Sequence, residues 1–171
     1  MDESYRVADP SRIPTPSLLV YPDKVRANIA HAIEVAGGAE RLRPHLKTHK
    51  CPEIVALLRA AGISRFKCAT LAEAEMAARA GARDVMIAYP LVGVAIERFV
   101  RLLRAFADVA FRPIADHPAP LAALGEAVAA ARLEVDVLLD VDSGMHRTGV
   151  PIGEPAERLY RQLARTPGLR P

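Results

Sequence analysis

From Leu42 onward the chain alternates short apolar runs with helical segments, at roughly 20–30 residues per unit. This repeat constrains the fold more than any other feature. Adjacent parallel strands need a crossover of a dozen or more residues, and a helix is the usual crossover. Five runs read as strands: Leu42–Leu46, Arg65–Ala69, Asp84–Ala88, Val109–Ile114 and Val135–Val141. DVMIA at 84–88 and VDVLLDV at 135–141 are nearly continuous in apolar character, as strands buried on both faces are. The intervening helices are expected near Pro52–Ala61, Leu71–Ala80, Ala95–Ala107, Pro118–Arg132 and Glu154–Arg165. Before them, Ser17–Tyr21 reads as an early strand. Asp23 is expected to cap a helix that runs to Ala36 and ends at Gly37-Gly38.

Two architectures accept such a repeat, a doubly wound open sheet and a (β/α)8 barrel. The doubly wound sheet that binds dinucleotides carries a glycine-rich first βα turn. The corresponding turn here, RPHLKTHKCP at 43–52, has no glycine. The pattern therefore favours an α/β fold of the TIM type, a partial (β/α)8 barrel with about five of the eight strands.

Charge and composition exclude several function classes. The net charge is +3 and aromatics make up 5% of the residues, so the basic stripe with stacking partners of a nucleic-acid groove is not expected. The two cysteines, Cys51 and Cys68, form no C-x-x-C pair and read as small core residues. The segment Met1–Arg12 lacks the apolar centre of a signal peptide, and no apolar run is long enough to span a bilayer. A cytoplasmic protein without membrane contact is the resulting expectation.

The chemistry concentrates in Arg43-Pro44-His45-Leu46-Lys47-Thr48-His49-Lys50, where a strand gives way to a helix. If the extended conformation persists, His45, Lys47 and His49 share one face. At a barrel this is the catalytic rim. A lysine among imidazoles and other cations there is expected to have a lowered pKa, which a Schiff-base lysine needs because the neutral amine is the nucleophile. A solvated basic turn is the competing reading. Metal binding by His45 and His49 is a third, and no carboxylate or third ligand is near them in sequence to support it. At DVDSGMHRTG, 140–149, an apolar strand ends in Asp140 and Asp142 and Arg147 follows. There Arg147 either faces a ligand or pairs with Asp142 across the turn. His31 and His117 read as surface or capping positions, Tyr89 as packing, and Glu73 and Glu75 as partly solvated helix residues.

RPHLKTHK, with the preceding TPSLLVYPDKVRANI, resembles the N-terminal part of the D-threonine aldolase and D-serine dehydratase group. This group has the alanine-racemase-like barrel of fold-type III pyridoxal-phosphate (PLP) enzymes. CATLAEAE at 68–75, IAYPLVG at 87–93 and DVDSGMHRTG at 140–149 carry the same resemblance in the same order. The resemblance implies that Lys47 holds PLP and acts as the catalytic residue. It further implies that Arg147 lies by the cofactor's phenolic oxygen, and that His45 and Thr70 line the pocket. The implied activity is a PLP-dependent lyase acting on D-3-hydroxy amino acids, by aldol cleavage to glycine and an aldehyde. The alternatives are a dehydratase (ammonia-lyase) and a non-catalytic PLP-binding protein or inactive fragment.

The group also uses a divalent metal, whose ligands lie in a C-terminal half that has no counterpart here, so no metal ligand is assigned. Residues 1–171 are then expected to form a single incomplete barrel domain, with 1–22 as an arm and strand pairing with a missing C-terminal β domain. Such a chain, whether a truncated frame, a partial gene or one part of a split protein, is expected to have little activity alone. A homodimer, or completion by the missing half, is the expected assembly.

Overall fold

The computed structural model describes residues 5–171. Six α-helices punctuate the described residues: α1 Pro22–Ala36, α2 Pro52–Ala60, α3 Leu71–Arg79, α4 Val94–Ala105, α5 Pro118–Ala130 and α6 Glu154–Leu163. Proline sits in the first turn of α1, α2, α5 and α6, where its missing N–H costs nothing. Gly37 ends α1 in the left-handed conformation, φ 74°. Asp23 lies in the first turn of α1 and is not its cap; Tyr21 occupies that position without a side-chain bond.

The strands are β1 Arg65–Cys68, β2 Asp84–Ile87, β3 Ala110–Ala115, β4 Val135–Asp136, β5 Leu138–Leu139, β6 Val141–Asp142, β7 Val150–Pro151 and β8 Leu169–Arg170. Every pairing is parallel and follows chain order, β1 to β2 to β3 to β5. A doubly wound sheet reverses its strand order part-way, whereas a barrel winds in one direction. The observed order is that of a barrel. The run 135–141 is broken into three short pairs, because it changes partner along its length. β4 bonds to β8, β5 to β3, and β6 to β7. The β8 pairing also begins the sixth strand position.

Two expected strands are absent. Ser17–Tyr21 has no strand partner, and Leu18 stands 76% exposed. Leu42–Leu46 contracts to a single parallel bridge, His45 to Lys67. Pro44 has no N–H to donate to a ladder, although its carbonyl accepts from Lys67 N at 2.9 Å.

Strand period puts Phe66, Val85 and Phe111 on the helix-facing side, all 0–2% exposed. The opposite face carries charge near the N-terminal ends of the strands. There Asp84 lies between two arginines, with Arg43 Nη1 at 2.7 Å and Arg112 Nη1 at 2.6 Å. Arg112 reaches on to Asp136 at 3.4 Å, and Asp136 to Arg170 at 2.9 Å. A ladder of alternating sign thus crosses the sheet near the N-terminal ends of its strands. No helix among the described residues is long and apolar enough to cross a membrane.

Candidate active site

All strands run in one direction, so their C-terminal ends share one rim, where barrels carry their chemistry. His45 closes the first strand position. Its Nδ1 accepts from Lys47 N at 3.3 Å, and the chain coils at once into a 3-10 turn, Leu46–Thr48. The extended conformation therefore does not persist, and His45, Lys47 and His49 do not share a strand face. Leu46 is wholly buried, which pins the turn to the core. His49 N and Lys50 N both donate to Leu46 O, at 3.2 and 2.9 Å. Lys47 is exposed, and among the described residues its Nζ has no hydrogen-bond or ion-pair partner.

Burial holds His45 below its ordinary value of 6.5, and Lys47 and Lys67 push it the same way; Glu73 opposes them. His49 is lowered as well, chiefly by burial, and its Nδ1 accepts from Cys51 N at 3.1 Å. Both rings thus favour the neutral form, and both have Nδ1 engaged as an acceptor.

Thr70 caps α3, its Oγ1 accepting from Glu73 N at 3.1 Å. It also lines a cleft of about 280 Å³ with Ala69, Tyr89, Pro90 and Arg98. Lys47 does not border that cleft. Tyr89 is 64% exposed at its edge, so its expected packing role is not what the structure gives.

Glu73, expected to be a partly solvated helix residue, is buried instead. It is 5% exposed, the one buried charged or polar residue among those described. Its Oε2 accepts from Ala69 N at 2.8 Å, and its Oε1 lies 3.8 Å from Lys50 Nζ. The sequence signal was Thr70-Leu-Ala-Glu73, the spacing of a capping box, which draws the glutamate back over the start of its helix. Glu75 stays at the surface, paired with Arg79 at 2.8 Å.

Arg147 stands in the loop between β6 and β7, exposed and without a partner among the described residues. Asp142 does not pair with it. Its Oδ1 accepts from Gly144 N and His146 N, both at 2.9 Å, and its Oδ2 meets His146 Nδ1 at 2.8 Å. These bonds hold the Asp142 carboxyl below the usual carboxylate range. Asp116 Oδ2, just past β3, accepts from Gly149 N at 3.3 Å and ties the loop to the neighbouring strand end. The structure therefore joins His45 to Lys47, and leaves Thr70 and Arg147 on the same rim without bonds to either. Cys68 is wholly buried, its thiol pushed up to about 12 by burial and by Glu73. Cys51 is half-buried, with Sγ 2.9 Å from Glu53 Oε2. His117 caps α5 through Ala119 N at 3.2 Å. Among the described residues no group of three or more His, Cys, Asp or Glu side chains is arranged to hold a metal ion.

Strands wound in chain order, helices on one face and a free lysine at the C-terminal rim define a parallel β/α-barrel scaffold with its functional groups on the strand ends. The chain belongs to the alanine racemase, N-terminal domain family, which matches residues 20–171. It is 32% identical over 163 residues to D-threonine aldolase of an Arthrobacter species, covering 93% of this chain and 42% of that protein. It is 32% identical over 141 residues to D-threo-3-hydroxyaspartate dehydratase of Delftia sp. strain HT23, covering 80% of this chain and 36% of that one. In three dimensions it is similar to D-threonine aldolase from Filomicrobium marinum, with a TM-score of 0.83 and 33% identity over 92% of this chain and 42% of the other. The chain thus spans less than half the length of these relatives.

Proposed function

We propose that this chain is the cofactor-holding portion of a PLP-dependent lyase acting on D-3-hydroxy amino acids, with Lys47 as the residue that carries PLP. The observation that supports this best is the placement of Lys47. Its amine projects from a turn anchored by buried Leu46, at the C-terminal end of the first strand position, with no carboxylate paired to it among the described residues. A lysine locked in an ion pair would be held in its protonated, non-nucleophilic form. The free guanidinium of Arg147 on the same rim fits a second role, a cation for the cofactor's phenolic oxygen. Thr70 is carried over as a pocket residue on the resemblance; its Oγ1 accepts the α3 cap bond and its O–H stays available to donate.

When bound, PLP supplies a sink for the electron pair left at the substrate's Cα. Lys47 would hold the cofactor through Nζ, and the same amine would hold or move a proton at the substrate's Cα. His45, kept neutral by its surroundings and fixed through Nδ1, lines the approach to Lys47 without adding charge. Loss of the β-hydroxyl proton with Cα–Cβ cleavage gives an aldehyde, and return of a proton to Cα gives glycine. Loss of the Cα proton with departure of the hydroxyl leads to dehydration and release of ammonia. The aldol route is our reading, and dehydration is the alternative that the Delftia relative's name suggests. The residues described offer no metal site, and no step is assigned to a metal.

The test is an absorbance spectrum of the purified chain with PLP, before and after borohydride, beside Lys47→Ala. A new long-wavelength band that borohydride traps on Lys47, and that the variant lacks, is the expected outcome. An identical trapped band in Lys47→Ala refutes the assignment.

A further inference from the structure

We propose that Glu73 is a positioning residue for Lys47, and that its charge acts through Lys50 to clamp the 46–50 turn onto the end of β1. The inference rests on the reading of Lys47 as the cofactor lysine. Its physical basis is a carboxylate in an expensive place. Burying a charge costs several kcal/mol unless it is paired and hydrogen-bonded. Holding the Ala69 N–H does not need a charge, because a neutral amide oxygen would accept that bond equally well. What a neutral side chain would not do is hold the cations around it.

Those cations belong to one short segment and the strand beneath it. Lys50 Nζ lies 3.8 Å from Glu73 Oε1 and also donates to the carbonyl of Lys47. The connection runs from Glu73 carboxylate to Lys50 ammonium to Lys47 backbone. Lys50 adopts a positive φ of 47°, which a non-glycine residue keeps only where its surroundings hold it. The Glu73 charge also favours the protonated forms of His45 and His49, against the repulsion of Lys47 and Lys67 on the first and of Lys50 on the second. From α3, Thr70 Oγ1 binds the Glu73 N–H and fixes the helix turn that presents the carboxylate. From the strand end, Ala69 N fixes its other oxygen. The carboxylate therefore joins three elements, β1, α3 and the lysine turn, at the point where the proposed chemistry starts.

The experiment compares Glu73→Gln, Lys50→Met, Lys50→Arg and the Glu73→Gln/Lys50→Met double variant in the 171-residue chain. Glutamine keeps an acceptor for Ala69 N and removes the charge, so α3 is expected to stay folded. Two readouts are taken, the rate of borohydride-trappable PLP capture and amide hydrogen exchange at His49, Lys50 and Ala74. The Glu73–Lys50 contact is an ion pair at 3.8 Å with an exposed ammonium, so Glu73→Gln and Lys50→Met should each slow capture by up to about fivefold. Both should release His49 and Lys50 amides while Ala74, inside α3, keeps its protection. Lys50→Arg should restore capture, and the double variant should be no slower than either single one. Capture at the unaltered rate in Glu73→Gln overturns the inference. So does equal loss of protection at Ala74, which would make Glu73 a helix cap and nothing more. A trapped band that persists in Lys47→Ala overturns the functional reading and this inference with it, and the exchange pattern distinguishes that case from failure of the clamp alone.

Discussion

Gly149→Ala should damage the Arg147 loop by a predictable amount. Gly149 has a φ of 97°, and a Cβ there would lie 2.5 Å from Asp142 N and 2.7 Å from the Val141 carbonyl carbon. Both are backbone atoms of β6, so no flexible side chain can swing away. Gly144, in the same loop, has a φ of 120° with nothing within 4 Å of its Cβ position. The two substitutions share the conformational cost of a left-handed alanine, about 1–2 kcal/mol. Gly149→Ala must also push β6 from β7 by about 1 Å, which forfeits van der Waals contact and one or two ladder bonds at about 1 kcal/mol each. The excess over Gly144→Ala is then about 2 kcal/mol. Urea titration followed by circular dichroism should place the Gly149→Ala midpoint about 1 M below that of Gly144→Ala, for an m-value of about 2 kcal/mol/M. Coincident midpoints would refute the steric argument and the β6–β7 register behind it.

Two more expectations follow from the titrating groups. His45 and His49 have folded pKa values below 6.5, so the unfolded chain binds more protons in the window just beneath that value. Stability should therefore fall as pH drops through 6.5 towards 5, and rise to a plateau above it. Urea midpoints across that range check the slope, and a His45→Gln/His49→Gln variant with an unchanged slope refutes the assignment. Asp142 acts in a lower window, its contribution present above about 3.8 and lost as pH falls through its depressed folded value. For the thiols, a disulfide reagent at pH 8 should label Cys51 in the native chain and both cysteines in denaturant, since Cys68 is buried with its pKa pushed up to about 12. Native labelling of Cys68 contradicts that.

The helices and the middle strands were legible because their apolar spacing and their Pro and Gly punctuation act locally. Arg65–Cys68, Asp84–Ile87 and Ala110–Ala115 fall within a residue of where the pattern puts them. What failed depended on partners. Ser17–Tyr21 is extended in character, yet extension makes a strand only beside another strand. Leu42–Leu46 looked like a strand because it is apolar at both ends, but Pro44 interrupts donation and the His45 ring captures the Lys47 N–H, which bends the chain into a turn. Lys47 itself was found by motif, while its orientation was not. Glu73 is expected to be partly solvated and is buried, and the pattern leaves open whether Asp142 pairs with Arg147; one reason settles both. A carboxylate's partner is settled by short-range geometry, capping for Glu73 and an N–H cluster for Asp142, and an Arg five residues away competes poorly with amides already in place.

The arginine–aspartate ladder carries information as well as energy. Along the sheet the signs read plus, minus, plus, minus, plus through Arg43, Asp84, Arg112, Asp136 and Arg170. Exchanging two inner strands would set arginine beside arginine and aspartate beside aspartate, a repulsion on the order of 4 kcal/mol per pair at 4 Å and an effective dielectric of 20. Sliding one strand by a single residue would turn its charge inward among Phe66, Val85 and Phe111. The ladder thus works as an address written in sign, telling each strand which neighbour to accept and at which register, while the apolar face, alike on every strand, tells it nothing.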